Sequence, residues 1–154
     1  MLRMFVKYLA ITTAVCGFLS CNEKKVYDKY CHTHVAGWDK NDTLTFNIPK
    51  IKNSGTYIAE LGLRMNESYP FTGITLIAEH TDKYGKTTTD TLNCNLIDKN
   101  GIPLGKGINY YQYIFKITDM RLEKDDSLHI CVRHDMKREI LPGISDVGIS
   151  LTMR

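Results

Sequence analysis

Along most of this chain apolar and polar residues alternate one for one. Leu44, Phe46 and Ile48 alternate with Thr43, Thr45 and Asn47, and Ile74, Leu76 and Ala78 with Thr75, Ile77 and Glu79. Tyr57, Ala59, Leu61 and Leu63 form a third stripe, and Leu128, Ile130 and Val132 a fourth. Successive side chains of a strand point to opposite faces, so each stripe reads as the inward face of a half-buried strand. Tyr110 to Ile117 is dense in aromatic and branched residues, and Val147 to Met153 alternates again. Turn-forming clusters punctuate these runs: Asp39-Lys40-Asn41-Asp42, Lys52-Asn53-Ser54-Gly55, Asp82-Lys83-Tyr84-Gly85, Asp98-Lys99-Asn100-Gly101, Glu123-Lys124-Asp125-Asp126 and Pro142-Gly143. The pattern predicts strands near 43–48, 56–65, 73–81, 87–97, 110–118, 127–134 and 146–153. Beyond residue 20 no stripe of period 3.6 reaches helical length, and Asp119 to Lys124 has room for one helical turn. The expected fold is all-β: an antiparallel β-sandwich, jelly-roll or immunoglobulin-like, of about seven or eight strands.

The start of the chain follows a different rule. Arg3 and Lys7 precede an apolar run from Tyr8 to Leu19, and Phe18-Leu19-Ser20 leads into Cys21. Twelve residues of helix span roughly 18 Å, short of the ~30 Å hydrocarbon core of a bilayer. A basic start, a short apolar run and a small residue before the cut form a secretory signal. With a cysteine next, the segment looks like a bacterial lipoprotein signal, in which the Cys21 thiol takes a diacylglycerol and becomes the new N-terminus. The expected organisation is a signal peptide over 1–20, a short polar tether over 21–25 and a single β-domain over 26–154.

Export changes what charge and cysteine content mean. Losing residues 1–20 removes Arg3 and Lys7 and no acid, so the formal charge falls from +3 to +1. Near-neutrality excludes a reading built on nucleic acid or an acidic surface. Cys31, Cys94 and Cys131 remain in a compartment that permits disulfides, and their spacing selects no pairing.

Candidate chemistry is sparse. Cys31-His32-Thr33-His34 puts two imidazoles on one face of an extended segment, but a metal site needs further ligands that nothing nearby in sequence supplies. His129, Cys131 and Arg133 share the face opposite Leu128 and Val132, and neighbours two apart on a strand are poorly placed for nucleophile and base. Gly101, Gly105 and Gly107 lack the strand-to-helix context of a phosphate loop. No catalytic residue, cofactor, metal site or small-molecule substrate is expected, and the protein is read as a non-enzyme. Tyr110-Tyr111-Gln112-Tyr113 offers rings that could stack on sugars, which motivates an alternative reading as a surface glycan-binding module.

Other features run in a recognisable order. Trp38 stands early in the domain; Arg64 is followed by Tyr69-Pro70-Phe71; Asp90-Thr91-Leu92, Leu96-Ile97-Asp98, Gly101 and Leu104-Gly105 come next; Met136 and Leu141-Pro142-Gly143-Ile144-Ser145-Asp146-Val147-Gly148 stand near the end. With Cys21, this order resembles the gliding motility-associated lipoprotein family GldH. The resemblance implies a cell-envelope lipoprotein, without enzymatic activity, that works through protein contacts with motility and secretion machinery. Trp38, Arg64, Tyr69, Pro70, Pro142 and Gly143 are its candidate structural or interaction residues. Asn22 is not the aspartate that retains some lipoproteins in the inner membrane, so the expected location is the outer membrane, anchored through Cys21 and facing the periplasm.

Overall fold

The computed structural model describes residues 25–154, and the expected signal, the expected lipidation site Cys21 and most of the expected tether lie outside them. Eleven strands follow in order: β1 (Lys25–His32), β2 (Trp38–Asp39), β3 (Leu44–Ile48), β4 (Gly55–Asn66), β5 (Gly73–Asp82), β6 (Thr87–Asn95), β7 (Lys106–Gly107), β8 (Tyr110–Leu122), β9 (Leu128–His134), β10 (Ile140–Leu141) and β11 (Ile144–Met153). All seven expected strands are present, within a few residues of their expected limits.

They form a five-stranded sheet, β1-β11-β4-β8-β7, a four-stranded sheet, β3-β9-β5-β6, and a small β10-β2 pair. Without the two-residue strands β2, β7 and β10, eight remain. Their order is first-eighth-third-sixth in one sheet and second-seventh-fourth-fifth in the other. Every connection between them switches sheets except the β5–β6 hairpin. That is the jelly-roll arrangement, which decides between the two sandwich types the sequence left open.

The core follows from the alternation. Tyr57, Leu61 and Leu63 of β4 and Val147, Ile149 and Leu151 of β11 face Phe46, Leu76, Ile130 and Val132 of the other sheet, all essentially buried. Each such side chain contributes about 1.5–3 kcal/mol by leaving water. Two expectations are corrected. Asp119 to Lys124 is no helical turn: β8 continues to Leu122, because Met120 and Leu122 still pair with Tyr57 and Gly55 of β4. Lys25 does not belong to a tether, since it opens β1 and pairs with Thr152 of β11.

The topology gives the sandwich two distinct ends. At one, Lys25 begins β1 beside the β3–β4 loop, the β5–β6 turn, the β8–β9 loop and the C-terminus. The opposite end holds the segments 33–43, 67–72, 96–109 and 135–143, and is called the distal end below.

Candidate functional site

The motif residues scattered through the sequence meet at the distal end. Pro142-Gly143 turns the chain from β10 into β11, and Gly143 has φ +83°, a conformation L side chains rarely adopt. Its carbonyl accepts the Asn66 N–H (2.8 Å). A Cβ there would lie 2.4 Å from the Tyr69 nitrogen, so this turn and the Asn66–Tyr69 turn are pressed backbone to backbone. Tyr69 is buried, donates its hydroxyl to the Gly73 carbonyl (2.9 Å) and meets Phe71 edge-on. Burial pushes the Tyr69 phenol well above its ordinary pKa. Pro70 beside it is exposed.

Trp38 lies in the core beneath these loops. Its indole N–H donates to the Asp42 carbonyl (2.9 Å), and its ring meets His134 edge-on, with centroids 5.2 Å apart. The Met136 N–H points at His134 Nδ1 (3.4 Å), so the neutral ring carries its proton on Nε2 and donates it to the Trp38 carbonyl (3.2 Å). Desolvation lowers the His134 pKa from its ordinary value. Trp38 is therefore a packing anchor.

Arg64 points outward from β4 in a row formed by strand register: His32, Asp146, Arg64 and Gln112. Its Nε donates to Gln112 Oε1 (3.3 Å), and its guanidinium lies 4.0 Å from the centroid of the Tyr30 ring. Tyr30 lies over two glycines paired across strands, Gly62 and Gly148, where side chains would leave it no room. Burial raises the Tyr30 pKa and Arg64 opposes the shift. At the end of the row His32 Nδ1 is 2.5 Å from Asp146 Oδ1, while the Ser145 hydroxyl reaches Asp146 Oδ2 (2.8 Å). His32 thus pairs with a carboxylate, and His34 lies in the loop beyond β1. Among the described residues no three His, Cys, Asp or Glu side chains converge as a metal site would require. The sequence reading missed Tyr30 and the His32–Asp146 pair. The only signal for Tyr30 was glycine at two positions whose pairing the fold alone reveals, and nothing in the sequence marked His32 and Asp146 as neighbours.

The Cys131–His129 geometry corrects the expectation. Asn47 Oδ1 lies 2.7 Å from His129 Nδ1, which fixes the proton there and leaves Nε2 to accept the Cys131 thiol at 3.2 Å. The contact exists, but desolvation and then the Glu79 carboxylate raise the Cys131 pKa, so the thiol keeps its proton. An arrangement that disfavours thiolate is a poor nucleophile. Cys31, Cys94 and Cys131 are all free thiols.

Exposure is uneven over the surface. Of the ten large hydrophobic residues exposed among those described, seven belong to the distal end: Val35, Phe71, Ile102, Leu104, Ile108, Tyr110 and Ile140. Ile108 is 84% exposed and Tyr110 58%. Of the rings offered for sugar stacking, Tyr110 is exposed while Tyr111 and Tyr113 face inward, and Tyr113 is only 6% exposed.

The chain is similar to solved structures at low identity. One is a family GH115 4-O-methyl-α-glucuronidase (15% identical, TM-score 0.47, covering 88% of this chain and 18% of that one). Another is a family 35 carbohydrate-binding module from Clostridium thermocellum (17% identical, TM-score 0.37, covering 80% and 87%). Among curated proteins it is 30% identical over 142 residues to the gliding motility lipoprotein GldH of Flavobacterium johnsoniae, covering 88% of this chain and 89% of that one. It is 26% identical over 143 residues to a GldH homolog of Christiangramia forsetii, covering 87% of both. The model of the GldH lipoprotein family matches residues 25–151, nearly all of the jelly roll, and the chain belongs to that family.

Proposed function

We propose that this lipoprotein acts as an accessory subunit of an envelope motility and secretion machine, and that its distal end is the surface that binds a protein partner. The observation that carries this reading is the gathering of exposed apolar side chains at the distal end, Ile102, Leu104, Ile108 and Tyr110 among them, on a segment tied down by backbone hydrogen bonds from Leu96 to Thr72 and from Leu104 to Leu96 (2.9 Å each). Apolar side chains on a rigid rim suit contact with another protein and serve little purpose in water. The domain is anchored through lipid on Cys21 in the outer membrane and faces the periplasm, in keeping with the signal segment and with Asn22 after the cysteine. Tyr111 and Tyr113 turn inward and Tyr110 alone of the three rings stays exposed, which favours the protein-contact reading over the glycan-binding alternative.

The test is gene deletion with complementation, scored by colony spreading and cargo secretion. Deletion reduces both, and the wild-type gene restores them. A variant carrying Leu104→Asp and Ile108→Asp accumulates normally in the membrane fraction but fails to restore either. Unchanged spreading and secretion on deletion would reject the machine role, and full rescue by the double variant would reject the distal surface.

A further inference from the structure

The end at which β1 begins differs in kind from the distal end. Its three loops, 49–54, 83–86 and 123–127, hold five bases and three acids, whereas the distal segments hold five bases and six acids. Two of the three acids are engaged: Asp126 with Lys83 (2.6 Å) and the Glu123 N–H (2.8 Å), and Glu123 with Arg121 (3.2 Å). Lys50, Lys52, Lys86 and Lys124 have no carboxylate within ion-pair distance among the described residues. Tyr84, 82% exposed, projects from the β5–β6 turn with the Lys83 ammonium 5.0 Å from its ring centroid.

A cleft of about 490 Å³ opens at this end between the start of β1 and the β3–β4 loop. Lys50 and Lys52 supply its charge together with Lys25, whose ammonium also pairs with Asp28 (3.0 Å), and Val26, Pro49 and Ile51 form its apolar wall. The loop is held in place: the Tyr57 hydroxyl donates to the Asn53 carbonyl (2.6 Å), and Ile51 exchanges two backbone hydrogen bonds with Asp125 and Asp126 (2.8 Å each). The cleft is therefore built into the fold.

We propose that this end docks on the bilayer surface, with the cleft taking the phosphate of an anionic phospholipid headgroup. The proposal rests on the reading that Cys21 carries the lipid. Lys25 is four positions after Cys21, and even fully extended that stretch of chain reaches no more than about 14 Å. The start of β1 is thus held at the headgroups whatever path the tether takes. An ammonium cluster suits acidic headgroups, and a tyrosine with an apolar body and polar tip suits the same depth. The sandwich then stands on its basic end, and its distal loops face away from the membrane.

The test uses the full lipoprotein reconstituted into vesicles of phosphatidylcholine, with or without phosphatidylglycerol, and followed by lysine acetylation and mass spectrometry. Lys99, Lys106 and Lys137 at the distal end are the internal reference. On phosphatidylglycerol vesicles Lys50, Lys52 and Lys86 acetylate several-fold more slowly than in detergent, while the reference lysines do not change. Protection fades at about 1 M salt, where the screening length is about 3 Å. A Lys50→Glu, Lys52→Glu variant floats with the vesicles but loses protection at Lys86. Equal labelling in vesicles and detergent by a protein that floats would overturn the docking surface and leave the anchor standing. Equal protection on phosphatidylcholine alone would overturn the anionic headgroup as the recognised group. A mature protein that does not float would overturn the anchor and the docking surface together.

Discussion

Tyr30, lying across Gly62 and Gly148, makes a sharp prediction about two residues with no side chain. A methyl group added at position 148 would sit 2.6–2.8 Å from three carbons of the Tyr30 ring, where ordinary carbon contacts lie at 3.5–4.0 Å. The ring must lift by about an ångström, which costs about 1–3 kcal/mol by overpacking. It also forfeits the Arg64 stacking, about 0.5–1 kcal/mol at a surface site. Gly148→Ala is therefore expected to destabilise the domain by about 2 kcal/mol and lower Tm by about 6–8 °C. With Tyr30→Ala already present, the same change should be neutral or stabilise by about 0.5–1 kcal/mol, because alanine suits a strand interior better than glycine. Urea denaturation followed by fluorescence of the single tryptophan, the buried Trp38, measures all four members of the cycle. Equal cost of Gly148→Ala in both backgrounds would refute the argument, since the damage would then not pass through the ring.

Further predictions concern other parts of the molecule. Gly143→Ala forces a side chain into a left-handed conformation and onto the Tyr69 backbone; it should cost about 2–4 kcal/mol and open the 67–72 loop to protease. The folded state depresses the His134 pKa, so its contribution is complete above the unfolded value of 6.5 and falls away as pH drops below it. Stability should decline by at most about 1.4 kcal/mol per pH unit in that window, and a His134→Gln variant whose acid limb is unchanged would exclude His134 as the cause. The Cys94 thiol is pushed up to about 11 by burial, and Cys131 is raised as well. Native-state alkylation at pH 8 should spare Cys94 and modify Cys131 more slowly than a free thiol; rapid modification of Cys131 would restore it as a nucleophile. Cys21→Ala should leave an unprocessed or unanchored precursor, and its normal maturation to a soluble form would exclude lipidation.

β3, β5 and β9 were legible because each buries one face, which imposes period-two alternation, and β6, where only Cys94 is buried, was legible from the turn clusters on either side of it. β1 was not. In Lys25–His32 only Tyr27 is fully buried, so an edge strand that packs along little of its length left no apolar stripe to read. The end of β8 was misread because its pairing with β4, a tertiary effect, outweighs the local sequence of Asp119 to Lys124. The convergence of Arg64, Tyr69, Pro142 and Gly143 was legible only as an order of motifs. Their adjacency depends on β4 and β11 being neighbours in a sheet, although about eighty residues separate them in the chain.

The pairing of β1 with β11 bears on how the molecule carries load. β1 runs from the end that holds Lys25 toward the distal end, and from Tyr27 to His32 it is matched residue by residue with β11. A partner pulling on the distal loops against a fixed lipid would draw β1 along its own axis. Backbone hydrogen bonds lie across the strands, so such a pull strains the whole ladder at once instead of opening it one bond at a time. On the proposed anchor and partner surface, the first strand of the domain would work as a splice between the membrane and the sandwich, strongest along the line from lipid to partner. Tension that peels β1 sideways would meet only one hydrogen-bonded pair at a time.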